Sequence, residues 1–393
     1  MTRREWISSV PLGLALFDQG KDPVTDQTGE TAKTAGAGLA TFGLRLLRER
    51  SGRQPRENVF LSPLSIALAL QMAESGAAGS TRSAMNKVLA VSDTGAAALN
   101  ASLRSHYPDQ LHIANALWAD RRFILAPEYV KLCNDLFGAR AATLDFKDPR
   151  AAAEINDWVK QETQGKIADI VSAGAVANAA VILTNAVYFA AAWRKEFQPS
   201  QTQTGEFHPA GGGSKSLPMM QQQRVTGAYR SGNAFEGAVL PYKNPGIFLY
   251  GLLPRDGKSV ADVLESLDAG SLTAGRSEYD LDLKLPRFNL DFSASLASDL
   301  QRMGMDAAFH YPPADFSRMG SGPFFISDVM HKTRLEVDEK GTVAAAATAL
   351  TMTATAMMQP RPVKTLVFDR PFVVLIADSQ SGALLFAGVI QNP

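Results

Sequence analysis

The stretch EKGTVAAAATALTMTATAMMQPRP, residues 339–362, decides how the chain is read. Alanine is the strongest helix former, so a surface helix is the simplest assignment. Five threonines argue against it, because β-branched side chains lose rotamer freedom in a helix. Taken at strand period, one face reads Thr342, Ala344, Ala346, Thr348, Leu350 and Met352. The other reads Val343, Ala345, Ala347, Ala349, Thr351 and Thr353. The first face becomes large and apolar along its length while the second stays small or hydroxylated, the alternation of a strand with one buried side. The alanines lower β propensity, and Gln359-Pro360-Arg361-Pro362 closes the run as an extended, donor-poor tail. The segment therefore suits two states, an exposed loop and a strand laid between two others.

The rest of the 393-residue chain supplies a core large enough to hold such a strand. Hydrophobic residues make up 46% and charged residues 20%, the balance of a soluble globular protein. Lysine plus arginine equals aspartate plus glutamate at 39 each, so no global field recruits nucleic acid or an anionic membrane. The single cysteine, Cys133, forms no intrachain disulfide and reads as a small core residue of the amphipathic helix PEYVKLCNDLF.

Residues 1–36 read as a leader. Arg3-Arg4, Trp6-Ile7 and the apolar run 10–17 resemble a bacterial twin-arginine export signal, and the polar residues 18–36 read as a flexible linker. Export to the periplasm or the extracellular space is the expectation, and no run approaches the roughly 18 apolar residues of a membrane span. Helical patterns follow in LATFGLRLLRER, in the segment capped by Ser62 and Pro63 and broken at Gly76, and in DPRAAAEINDWVKQETQGKI. AVILTNAVYF is a long apolar, β-branched run, the signature of a strand buried on both faces. Shorter strand patterns fill the C-terminal half, from GAVLPY to ALLFAGVIQ. Helices first and strands later predict an α+β domain.

The common catalytic constellations are missing. The sequence holds no GxGxxG after a strand, no GxxxxGK[ST], no HExxH and no GxSxG. Its histidines, His106, His112, His208, His310 and His331, include no i, i+4 pair, so neither metal nor cofactor is expected, and an enzyme is disfavoured.

These residues resemble the serpins from about residue 37 to residue 393. EKGTVAAAAT matches the serpin hinge at Glu339, Gly341, Thr342, Ala344, Ala345, Ala346 and Ala347. NVFLSPLSI, GAAGST, LTNAVYFAAAW, HKTRLEVDEKGT, FDRPF and SGALLFAGVIQNP match other motifs in the family's order. The resemblance implies one domain, 37–393, with helices around a large central mixed sheet, two smaller sheets and an exposed reactive-centre loop, 339–362. It implies a monomeric suicide substrate for a serine or cysteine protease, with a non-inhibitory carrier or chaperone as the alternative. Asn58, Ser62, Ser65, Asn185 and His331 match shutter positions, and Trp193 matches the top of the sheet where insertion begins. The family's spacing from Glu339 puts the scissile bond at Thr355-Ala356, with Met357 and Met358 next in line. Counting back from FDRPF lands nearer Gln359 or Pro360. Small and medium apolar side chains around this bond suit an elastase-like or subtilisin-like target.

Overall fold

The structure is a computed structural model that describes residues 23–272, 277–342 and 361–393. α1 (Pro23–Arg53) leads through β1 (Val59–Leu61) to α2 (Pro63–Ser75), α3 (Gly79–Leu89) and α4 (Asp93–His106). β2 (Leu111–Asp120), β3 (Ile124–Leu125), α5 (Pro127–Phe137), β4 (Arg140–Leu144), α6 (Ala151–Glu162) and α7 (Ala173–Ala177) follow. Strands then dominate: β5 (Val181–Phe189), β6 (Ala191–Ala192), β7 (Gln203–Phe207), β8 (Lys215–Thr226), β9 (Tyr229–Ser231), β10 (Phe235–Pro241) and β11 (Ile247–Pro254). After α8 (Val260–Ser266) come β12 (Asp280–Pro286), β13 (Phe288–Ser295), α9 (Ala297–Leu300), β14 (Gly320–Ser321) and β15 (Ile326–Val337). β16 (Gly341–Thr342), β17 (Val363–Val367), β18 (Phe372–Asp378) and β19 (Leu384–Ile390) complete the chain.

The α+β expectation holds, as do the three main sheets. The central sheet runs β4-β2-β5-β15-β13, with β6 and β16 inserted at one end beside β15. It is mixed, since β2 runs parallel to β4 and β5 parallel to β15 while the other pairs are antiparallel. Six strands form a second sheet, β1-β19-β18-β11-β10-β9, and four form a third, β17-β12-β8-β7.

Strand period explains how the central sheet serves two cores. Ile182 and Ala186 of β5 join Trp118, Ile155 and Val159 under α6, while Leu183, Val187 and Phe189 turn to the larger core that includes α2. Every residue of β5 is buried, as its apolar run predicts. Ser62 caps α2 in extended conformation and Pro63 fills the first helical position, where no amide hydrogen is needed. Cys133 is buried, and burial pushes its thiol up to about 12, consistent with a packing role.

Two expectations need correction. Residues 23–36 belong to α1 and are not a flexible linker. Gly36 looks like a helix breaker, but a Cβ there would lie 2.0 Å from the Ser381 carbonyl oxygen, so glycine lets α1 approach the turn after β18. The twin-arginine motif lies outside the described residues. Strands also appear early: β2 and β4 precede the apolar run of β5. β2 escapes a pattern reading because His112 and Asn115 interrupt its apolar residues, and only pairing with β5 reveals it. Among the described residues no helix is long and apolar enough to cross a membrane.

Candidate functional site

β15 ends in a tight reversal that places the start of the loop back in the sheet. The Asp338 side chain accepts from the N–H groups of Lys340 and Gly341 at 2.8 and 3.0 Å, and the Asp338 N–H donates to the Gly341 carbonyl at 2.9 Å. Thr342 thereby pairs with Val337 on one side and Ala191 on the other. Gly341 is required by proximity, since a Cβ would fall 2.2 Å from the Ala191 carbonyl oxygen. Ala191 and Ala192 are small enough to accept this neighbour. Lower down, β5 and β15 pair directly from Ile326 with Val181 to Arg334 with Tyr188. The seam between the two strands is thus parted at one end by Gly341 and Thr342 and closed below.

An aromatic bracket holds the parted end. Trp193 stacks on Tyr242 with ring centroids 4.6 Å apart and planes 12° apart. The Trp193 indole N–H donates to the Asp338 carbonyl at 2.9 Å, and the Tyr242 hydroxyl lies 2.7 Å from Thr342 Oγ1. Thr342 is fully buried. The Glu339 carboxylate accepts from the Thr202 hydroxyl at 2.8 Å and stands 3.7 Å from the Arg287 guanidinium, while its carbonyl accepts from the Phe197 N–H at 2.8 Å.

Beneath the closed part of the seam lies a buried polar network. His331 and Asn185 are register partners across β15 and β5, and Asn115 is the partner of Asn185 on β2. The Ser62 N–H donates to His331 Nε2 at 3.1 Å, so Nδ1 carries the proton and donates it to Asn185 Oδ1. Asn185 Nδ2 donates to Ser65 Oγ and to Asn115 Oδ1. Ser65 Oγ donates to Asn115 Oδ1 at 3.0 Å, Asn115 Nδ2 donates to the Ser65 carbonyl at 3.2 Å, and Ser62 Oγ donates to the Leu385 carbonyl at 2.8 Å. The network ties α2, β2, β5, β15 and β19 together through groups that water does not reach.

The structure brings Ser62, Ser65, Asn185 and His331 into one cluster, and Trp193 beside Gly341 and Thr342. Asn58 stands apart: its side-chain oxygen accepts from the N–H groups of Gln391 and Asn392 at 2.7 and 2.9 Å, fastening β1 to the C-terminal segment. Ala344, Ala345, Ala346, Ala347, Thr355, Ala356, Met357 and Met358 lie outside the described residues. Sequence reasoning missed Asn115, Tyr242 and Thr202. A lone asparagine inside the apolar LHIANALWAD was the available signal for Asn115, because a buried strand amide must find a partner. No group of three or more His, Cys, Asp or Glu among the described residues could hold a metal ion.

Burial holds the His331 imidazole neutral, lowering its pKa to about 3 from the ordinary 6.5. Between those values the unfolded chain carries a proton here that the native state does not. Native stability is therefore complete above pH 6.5 and falls as pH drops, at no more than about 1.4 kcal/mol per pH unit from this group. Denaturant midpoints at pH 7.5, 6 and 5 should fall more steeply for the wild type than for His331→Gln, which cannot titrate. Parallel pH profiles would show that His331 is not held neutral by the fold.

The serpin (serine protease inhibitor) family model matches residues 37–393. An uncharacterized serpin-like protein of Thermococcus kodakarensis is 38% identical over 371 residues, spanning 90% of this chain and 85% of that one. Leukocyte elastase inhibitor A of Mus musculus is 32% identical over 372 residues, spanning 90% and 97%. The crystal structure of Manduca sexta serpin-12 matches this fold with a TM-score of 0.79 at 25% identity, covering 91% of this chain and 99% of that one. With the family model running from residue 37 to residue 393 and relatives above 30% identity spanning nine-tenths of it, the chain belongs to the serpin family.

Proposed function

We propose that this chain inhibits a protease as a suicide substrate and is not itself an enzyme. The observation that carries the reading is the position of Gly341 and Thr342, already seated between β15 and β6 at the open end of the seam. The residues that follow, Ala344, Ala345, Ala346 and Ala347, are small enough to continue along that path. The protease's serine or cysteine attacks the Thr355 carbonyl, the Thr355–Ala356 bond breaks, and Ala356 leaves as a free amine. The acyl-enzyme is then carried along the sheet as the loop inserts between β5 and β15. Insertion adds on the order of ten ladder hydrogen bonds, each worth about 0.5–1.5 kcal/mol, and buries Leu350 and Met352. Ser62, Ser65, Asn185 and His331 act as the shutter that must part, with Asn58 fastening β1 beside it, and Trp193 guards the point where insertion starts.

The target is an elastase-like or subtilisin-like protease, which accepts the small and medium side chains of Thr355, Ala356, Met357 and Met358. A relative named as a leukocyte elastase inhibitor supports that class. The protein acts as a monomer on a protease met outside the cytoplasm, a placement supported by Arg3-Arg4 and the apolar run after it.

Mixing the full chain with an elastase-like and a subtilisin-like serine protease should give a covalent band at the summed mass on a denaturing gel. The released C-terminal fragment should begin at Ala356. A fragment beginning at Met358 or Gln359 would shift the bond to Met357 or Met358. Cleavage without any covalent band would leave a non-inhibitory serpin.

A further inference from the structure

A basic concavity lies between the C-terminal half of α1 and the turn Gln301–Met305 that follows α9. It encloses 460 Å³, within the roughly 300–1,000 Å³ typical of small-molecule sites. None of its lining residues belongs to the hinge or to the polar network of the seam. Helical period builds one wall: Arg45, Arg48, Glu49, Gly52 and Arg53 recur at i, i+3, i+4, i+7 and i+8 on one face of α1. Arg302 and Met303 form the other side. Gly52 keeps the space open, since a Cβ there would meet nothing within 4 Å.

Part of this charge serves the fold. Arg50 and Arg53 stand in the last turn of α1, where cations suit the helix dipole, and they share the fully buried Asp299 at 3.1 and 2.8 Å. Arg302 donates to Glu49 at 2.7 Å, tying the turn after α9 to α1. Arg45 and Arg48 have no such explanation. Arg45 lies two turns before the helix end, beyond the reach of the dipole, and makes no side-chain hydrogen bond or ion pair among the described residues. Arg48 donates to the Leu264 carbonyl at 3.0 and 2.7 Å, and its paired carboxylate, Glu265, is 3.9 Å away and three-quarters exposed, too far and too wet to neutralise it. Positive charge is left in excess around the concavity.

We infer that this concavity binds a compact polyphosphate, three or more linked phosphoryl groups carrying neither a base nor an acyl chain. Arg45 and Arg53 stand about 12 Å apart along the helix axis, so a single phosphate reaches one of them while a short chain reaches both, with Arg302 facing it from the opposite side. Guanidinium forks match pairs of phosphate oxygens, which is the recognition that several arginines on one wall supply. No aromatic ring lines the site, so a nucleobase finds nothing to stack on, and Met303 is too small a wall for a lipid tail.

Inorganic tripolyphosphate titrated calorimetrically into the full chain at low salt should bind one to one, and affinity should fall several-fold at physiological salt as the arginines are screened. Orthophosphate and citrate, the second a tricarboxylate of comparable charge, should bind at least ten-fold more weakly. Gly52→Glu sets a carboxylate among the arginines and should weaken tripolyphosphate at least ten-fold, whereas Gly52→Ala, with a methyl group in open space, should bind as wild type. Arg45→Gln, which breaks no bond of the fold, should weaken it at least five-fold without changing the melting temperature of the free protein. Failure to saturate, equal affinity for citrate, or unchanged affinity in both Gly52→Glu and Arg45→Gln would each overturn the proposal. None of these results depends on loop cleavage or protease inhibition, so the two readings stand or fall separately.

Discussion

Thr342→Arg should leave the chain cleavable but unable to hold its protease. Thr342 occupies a fully buried slot between Val337 and Ala191 with its hydroxyl on Tyr242. An arginine cannot be buried there without a counter-charge, and an unpaired buried charge costs about 3–5 kcal/mol. In the unreacted protein the cost is avoided by letting a two-residue strand leave the sheet, so the fold survives. In the proposed mechanism the same residue goes in first after cleavage. Raising the insertion barrier by about 3 kcal/mol slows it about a hundred-fold, and hydrolysis of the acyl-enzyme then wins the competition. The expected gel shows complete loop cleavage, an active protease and almost no covalent band, whereas Thr342→Ser, which keeps the hydroxyl, behaves as wild type. A covalent complex formed by Thr342→Arg at wild-type yield would rule out insertion through this slot.

The strand pairing of Gly341 and Thr342 was legible because its physics is local. Small residues at period two say that a segment can enter a sheet, and Gly341 and Thr342 lie where that pattern begins. The polar network was legible only through resemblance, since nothing in the spacing of Ser62, Ser65, Asn185 and His331 announces that they meet. Their junction is made by sheet register, which sets His331 opposite Asn185 and Asn115 opposite Asn185. Asn115 stayed hidden because its strand mixes polar and apolar residues on a face buried by α2, where alternation no longer separates inside from outside. Asn58, grouped with Ser62 by the family motif, bonds apart from that cluster, its side chain reaching the C-terminal segment. Trp193, open in the sequence to reading as plain core or as gatekeeper, packs on Tyr242 and donates to the Asp338 carbonyl beside Gly341 and Thr342, a placement that fits either reading.

The second large effect is expected at Asn185, because its bonds cross the seam that the proposed insertion would open. Asn185→Leu keeps the branched heavy-atom skeleton, with bulkier methyl groups at its tips, but removes the acceptor of His331 Nδ1–H and the donors to Ser65 and Asn115. At least one of these fully enclosed groups is left unpaired, at about 1–3 kcal/mol each. The native state should lose about 3 kcal/mol, and the melting temperature should fall by several degrees. The loop-inserted state suffers less, because a strand lying between β5 and β15 separates Asn185 from His331 in any case. The substitution therefore narrows the barrier from the native side only. Incubation of Asn185→Leu at moderate temperature should convert the uncleaved protein to a more heat-resistant, non-inhibitory form faster than the wild type, read by residual inhibition and by a second melting transition above the first. His331→Gln, which preserves one acceptor for the Ser62 N–H, should convert at an intermediate rate. Equal melting temperatures and equal conversion rates for wild type and Asn185→Leu would mean that the network contributes nothing to keeping the seam closed, and that apolar burial under α6 alone holds the sheet shut.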